Sequence, residues 1–235
     1  ERYIADTGYL FRDKGNEGIY ETRKDIGIKF VDKINGKNHP FIDHFKRLKE
    51  EAGDAQIKQC IPSPSQTYGG EALFGGLKGG YYEGKEEEFE KDLIESYKDF
   101  LKEFKEAGGE IIQFDDCLWE IFSEENKNAP ISGGAETPSE EIALKFIDIN
   151  NEVIDYGHEL GLKVYTHNCR GNYQSRSAND GTYESIAHLF LEKQSYDRFY
   201  LEWDDERAGS IKALQAFKNR DVEVVLGLLS SKTNT

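Results

Sequence analysis

No run of about 18 apolar residues occurs anywhere in the 235-residue chain, so nothing in it reads as a membrane-spanning helix. The opening residues, ERYIADTGYLF, lack the basic and apolar regions of a secretory signal, and they do not begin with Met. They read as an interior stretch of a longer protein. Cysteine is scarce. Cys60, Cys117 and Cys169 are scattered too widely to form a disulfide framework, and a reducing cytoplasm is the expected compartment. Positive charge is also short, with 30 Lys and Arg against 45 Asp and Glu and a net charge of −15. That balance excludes nucleic acid or an anionic membrane surface as the expected partner. No G-x-G-x-x-G follows a strand, no P-loop is present, and no short-period repeat is visible, which removes support for a nucleotide-binding fold and for a solenoid.

What is present is a β/α alternation. Ile28 and Phe30 suggest a short strand or hairpin near the start. Pro40 is placed to open a helix carrying Phe41, Phe45 and Leu48, ending before Gly53. A strand over 55–61 stops at Pro62-Ser63-Pro64-Ser65. The glycine-rich stretch 67–84, with Tyr68, Phe74, Tyr81 and Tyr82, reads as either a lid over a small ligand or a loose surface excursion. Phe89, Leu93, Tyr97, Leu101 and Phe104 then repeat at helical spacing up to Gly108-Gly109. Strands follow over 110–114, 162–167, 198–203 and 222–229, separated by helices near 139–160, 183–193 and 210–217.

Such alternation implies parallel strands with crossover helices. The polar residues gather just past strand ends: Ser63 and Ser65, Asp115 and Asp116, His167 and Cys169, Glu202 and Asp204, Ser230 and Ser231. In a barrel these ends converge on one face. The expected fold is therefore α/β, a (β/α)8 TIM-type barrel, incomplete at both ends in this chain. Residues 1–235 form one such domain, with 67–84 as the candidate lid.

The stretch THNCRGNY, 166–173, carries the chemistry. Positions i and i+2 of a strand share a face, so His167 and Cys169 can offer nitrogen and sulfur to one zinc ion. Parity also puts Tyr200, Glu202 and Asp204 on one face, and Gln113 with Asp115 on another. Glu202, on the next strand, is the third candidate ligand. Two other readings stand beside zinc. One is a glycoside hydrolase using Asp115 or Asp116 with Glu202; the other is a metal-free binder of a small anion or amino acid. The hydrolase leaves His167 and Cys169 idle. Cys60 and Cys117 read as buried small residues, because neither has a partner at ligand spacing.

The segments IIQFDDCLW, THNCRGNY, LEWDDERAG and VVLGLLSSKT resemble methionine-synthase-II-type proteins. These are relatives of the catalytic half of cobalamin-independent methionine synthase. The resemblance runs from about residue 27 to the end. It implies the (β/α)8 barrel shared with uroporphyrinogen decarboxylase, and zinc held by His167, Cys169 and Glu202. It also implies a fourth ligand, a cysteine, beyond Thr235. Asp115 in QFDD matches the residue that contacts the amino-acid part of homocysteine, and Ser63 and Ser65 are further substrate-binding candidates. The implied partners are a small-molecule thiol and a methyl donor. At the position of the family's proton-donating histidine this chain has SSKT, so that role is not carried across.

Overall fold

The computed structural model describes residues 10–13, 16–21, 30–73, 75–123, 138–172, 181–218 and 220–232, the stretch 10–21 as backbone pairing alone. Its first element is an antiparallel hairpin of β1 (Leu10–Asp13) and β2 (Asn16–Glu21). Of the strand expected near Ile28 and Phe30, Ile28 lies outside the described residues and Phe30 is irregular.

Helix α1 (Pro40–Glu51) starts as expected. His39 caps it by accepting from the Phe41 N–H, and Pro40 takes the first helical position, where no amide donor is needed. The long α3 (Glu86–Glu106) opens on three glutamates, which suit the positive end of the helix dipole. It ends at Gly108, whose φ of 84° favours glycine. α4 (Glu140–Glu159) ends in the same way at Gly161. β3 (Gln59–Pro62) follows α1, β4 (Ile111–Asp115) follows α3, and β5 (Lys163–Asn168), β6 (Arg198–Glu202) and β7 (Glu223–Gly227) come after α4. They form one parallel sheet in the order β3-β4-β5-β6-β7. Strictly sequential parallel order is that of a (β/α)8 barrel segment. A doubly wound sheet would reverse its order at a switch point.

Ile112, Phe114, Val164, Phe199 and Leu201 face the helix layer and are fully or almost fully buried. Phe114 meets Tyr97 of α3 edge-on at 5.9 Å, and Phe199 meets Phe217 at 4.8 Å. Gln113, Asp115, Tyr165, His167 and Tyr200 take the opposite face, which the alternation of a strand requires. Gly36 runs so close to the Ser96 carbonyl of α3 that a Cβ there would overlap it.

Two segments differ from the sequence reading. The stretch 67–84 begins on the short helix α2 (Pro64–Tyr68) and a π turn, Gly69–Leu73, and then packs onto α3. Leu77 and Tyr82 are buried, and the Tyr82 hydroxyl donates to Asp92 and accepts from the Ile34 N–H, each at 2.9 Å. Its described residues are thus folded against the body of the protein; Phe74 lies outside them. The helix expected over 183–193 is a single turn, α5 (Tyr183–Ile186), followed by a π turn, Ala187–Leu191. No helix among the described residues is long and apolar enough to cross a membrane.

Candidate metal and substrate site

Register fixes the rows of side chains on the open face of the sheet. One row is Cys60, Gln113, Tyr165, Arg198 and Glu223; the next is Pro62, Asp115, His167, Tyr200 and Val225. Polar contacts climb from the first row to the second. Lys58 Nζ donates to Gln113 Oε1 at 2.5 Å, and Gln113 Nε2 donates to Asp115 Oδ1 at 2.8 Å. The same Oδ1 lies 3.3 Å from His167 Nδ1. Arg198 stacks over Tyr165 at 4.4 Å and donates to the Tyr200 hydroxyl at 3.0 Å.

Above these rows the chain leaves β4 and β5, and three potential ligands meet. The Sγ of Cys117, a ring nitrogen of His167 and the Sγ of Cys169 all lie within 4.8 Å of one another. The two sulfurs are 3.5 Å apart. Both are partly exposed, so a small ion can enter. The hydrogen bond from Cys117 draws the Cys169 thiol far down, to about 4; burial opposes this, and His167 and the Gly171 N–H add to it. The Cys117 thiol is pushed well up by its contact with Cys169 and by burial. Burial pulls the His167 imidazole down, but Asp115 and Cys169 outweigh it and raise it to about 10. These shifts favour a Cys169 thiolate beside a protonated His167 and a Cys117 thiol.

Cys117, which the spacing alone leaves without a ligand partner, has one in Cys169. Asp115 pairs with His167 across the parallel sheet. Two residues further along each chain, Cys117 meets Cys169. The signal was present as equal offsets from two strand ends, DDC and HNC, but it becomes visible only once those strands are neighbours. Gln66 fixes the backbone there by accepting from the Cys117 N–H at 2.9 Å.

Glu202 is placed at the same end of the sheet, outside this cluster. Its Oε2 accepts from the Arg170 N–H at 2.9 Å, and its Oε1 meets Lys232 Nζ at 2.5 Å and an Arg207 nitrogen at 3.3 Å. Arg170 is buried, stacks on Tyr183 at 4.5 Å and donates to the Gly181 carbonyl at 2.8 Å. Glu202 thus ties down the loop that follows Cys169.

Ser63 and Ser65 are fully buried and point into a different network. Both hydroxyls donate to Asp116 Oδ1, at 2.8 and 2.7 Å, while Asn150 Nδ2 donates to Oδ2 at 2.9 Å. Burial raises the Asp116 carboxyl, and the serine hydrogen bonds partly offset this. Close by, Glu120 is buried, and burial pushes it up to about 8 against the pull of Arg170. The fold therefore prefers Glu120 protonated. Its contribution to stability is complete below its ordinary value of 4.5 and is lost as the pH rises through about 8. Glu120→Gln copies the protonated form, so it is expected to flatten the fall in urea midpoint across that window. An unchanged slope in paired urea titrations would place the effect on another group.

No protein-family model matches the chain. Two curated relatives from Bacillus subtilis (strain 168), both uncharacterized, match most of it. YxjH is 34% identical over 205 residues, covering 87% of this chain and 52% of the relative. YxjG is 32% identical over 206 residues, covering 88% and 53%. The chain thus spans about half the length of the curated relatives it matches. Among solved structures, a Listeria monocytogenes protein provisionally named a vitamin-B12-independent methionine synthase matches with a TM-score of 0.62 and 26% identity. That match covers 88% of this chain and 57% of that one.

The fold is that of the methionine-synthase-like barrels. A B12-independent methionine synthase from Shewanella sp. W3-18-1, solved with selenomethionine, gives a TM-score of 0.57 at 17% identity, covering 93% and 53% of the two chains. A methyltransferase from Methanosarcina mazei gives 0.52 at 14%, covering 94% and 60%. In this barrel segment, the cluster of Cys117, His167 and Cys169 lies at the C-terminal ends of β4 and β5. That is the face where barrels of this type build their sites.

Proposed function

We propose that the chain belongs to an enzyme that transfers a methyl group to a thiol such as homocysteine, independently of cobalamin, with zinc held at His167 and Cys169. The observation that carries this reading is the meeting of one nitrogen and two sulfur donors at the open end of a methionine-synthase-like sheet. Their chemistry fits zinc, which accepts imidazole and thiolate together. Zinc bound there supplies a positive charge that keeps a sulfur donor deprotonated at neutral pH.

The remaining work falls to the chain's own groups. Asp115 engages His167 Nδ1, which settles the ring orientation and leaves Nε2 for an ion. Asp115 is itself partly exposed, so a substrate ammonium can reach its carboxylate, and holding that ammonium aims the substrate sulfur. The buried Asp116 network, with Ser63 and Ser65, fixes the backbone between Asp115 and Cys117. Fully buried, these two serines support that backbone.

The test is elemental analysis of protein purified without chelator, followed by incubation with homocysteine and candidate methyl donors, folate and non-folate. About one zinc per chain and a methyl thioether seen by mass spectrometry are expected. Protein that takes up no zinc and forms no thioether with any donor would end this reading.

A further inference from the structure

We infer that Cys117, rather than Glu202, is the third donor this chain brings to the metal. Among the described residues, the site is then built from one nitrogen and two sulfurs on adjacent strand ends. This inference rests on the zinc reading above and concerns only which side chains hold the ion.

Three observations carry it. Two thiolates on a tetrahedral zinc, each with Zn–S near 2.3 Å, stand about 3.8 Å apart. Cys117 and Cys169 stand 3.5 Å apart before any ion is added, and His167 offers its nitrogen within 4.8 Å of both. The pair therefore needs only a few tenths of an ångström of adjustment. Second, Glu202 lies outside the cluster, and both its oxygens are taken. One accepts the Arg170 N–H, and the other faces Lys232 and Arg207. Lys232 and Glu202 are both nearly buried, with side-chain exposures of 9% and 11%. Moving the carboxylate to a metal would leave a nearly buried ammonium without its counter-ion, which is costly. Third, Cys117 is held where it is needed. Its amide donates to Gln66 and the preceding amide, that of Asp116, donates to the His167 carbonyl at 2.8 Å. The thiol is thus positioned by β4, α2 and β5 together.

Charge is consistent with this assignment. Two thiolates neutralise a divalent ion, and neutral His167 adds no charge. Glu202 is then left to neutralise Lys232 and Arg207 and to anchor the loop after Cys169.

Cobalt(II) substitution tests the donor set without relying on turnover, because sulfur-to-cobalt charge-transfer absorption scales with the number of thiolates bound. The chain is expected to take up one cobalt, displaced by zinc, with a band to which the Cys117 and Cys169 thiolates both contribute. Cys117→Ser should roughly halve that band and weaken zinc binding by about tenfold or more, and Glu202→Gln should leave the band in place. A measurement on the unaltered protein covers the case in which a variant misfolds: zinc should slow alkylation of Cys117 and Cys169 but not of Cys60, read by peptide mass spectrometry. A full band in folded Cys117→Ser, or alkylation of Cys117 unaffected by bound zinc, overturns the assignment while leaving the zinc reading intact. If the wild-type protein binds neither metal, the zinc reading fails, and this inference with it.

Discussion

Cys169→Ser is expected to lose zinc and, with it, thiol methylation, by more than about 100-fold, the upper end of what disturbing a ligand's supporting hydrogen bond costs. A serine hydroxyl stays protonated at neutral pH and is a hard donor, whereas zinc at a structural or catalytic site selects nitrogen and deprotonated sulfur. The substitution is otherwise mild. The hydroxyl can still accept from the Gly171 N–H, which lowers the Cys169 thiol in the native chain, and the half-buried position tolerates a smaller atom. Thermal unfolding of the metal-free protein should therefore hardly move, and zinc content should collapse. If zinc content and methyl transfer both survive, His167 and Cys169 are an ordinary strand-end pair satisfied by hydrogen bonds.

The largest effect on stability is expected at Asp116. Its two oxygens accept from Ser63, Ser65 and Asn150, with the Tyr196 hydroxyl at 3.4 Å. These groups come from the end of β3, from α2, from α4 and from the approach to β6, and the carboxylate is fully buried. Asp116→Ala strands several buried donors at once, each worth roughly 1–3 kcal/mol when left unpaired. A loss of about 4 kcal/mol in urea unfolding is expected. That is a large part of the stability of an ordinary domain, which is roughly 5–15 kcal/mol. Asp116→Asn keeps an acceptor for the two serines and should lose less. A loss below about 1 kcal/mol for the alanine variant would mean that water replaces the carboxylate and the network is not closed.

How far the sequence reaches depends on whether a feature is local. The strands β3 to β7 and the helices α1, α3 and α4 were legible because their apolar periodicity and end signals lie within one segment. The pairing of His167 with Cys169 was legible for the same reason, since strand parity places both. Cys117 was not, because its partner sits on another strand and only register brings the two together. The partners of Glu202 were hidden in the same way: Lys232 arrives from beyond β7. The segment 183–193 shows a different failure. Leu189, Phe190 and Leu191 are all buried, and three adjacent buried residues do not fit one face of a regular α-helix. The wider π turn accommodates them. In 67–84, composition pointed to looseness, but Tyr68, Leu77 and Tyr82 provide enough apolar surface to fold a glycine-rich backbone onto α3.

The sequential order of the sheet also dictates when the site can exist during synthesis. Among the described residues, each strand from β3 to β7 pairs only with its neighbours in the chain. The interval between paired positions roughly halves along the sheet, from Cys60–Gln113 and Gln113–Tyr165 to Arg198–Glu223. Closing a loop half as long costs about 0.6 kcal/mol less, so among these five strands the cheapest parallel pair is the last to be synthesised. Cys117 and His167 lie at the ends of strands joined across one of the long intervals, with all of α4 between them. A nascent chain that has emerged only as far as α4 carries Cys117 with neither of its cluster partners. Its thiol stays apart from the other two donors until β5 docks, so the Cys117, His167 and Cys169 end of the sheet cannot assemble before β5 pairs with β4.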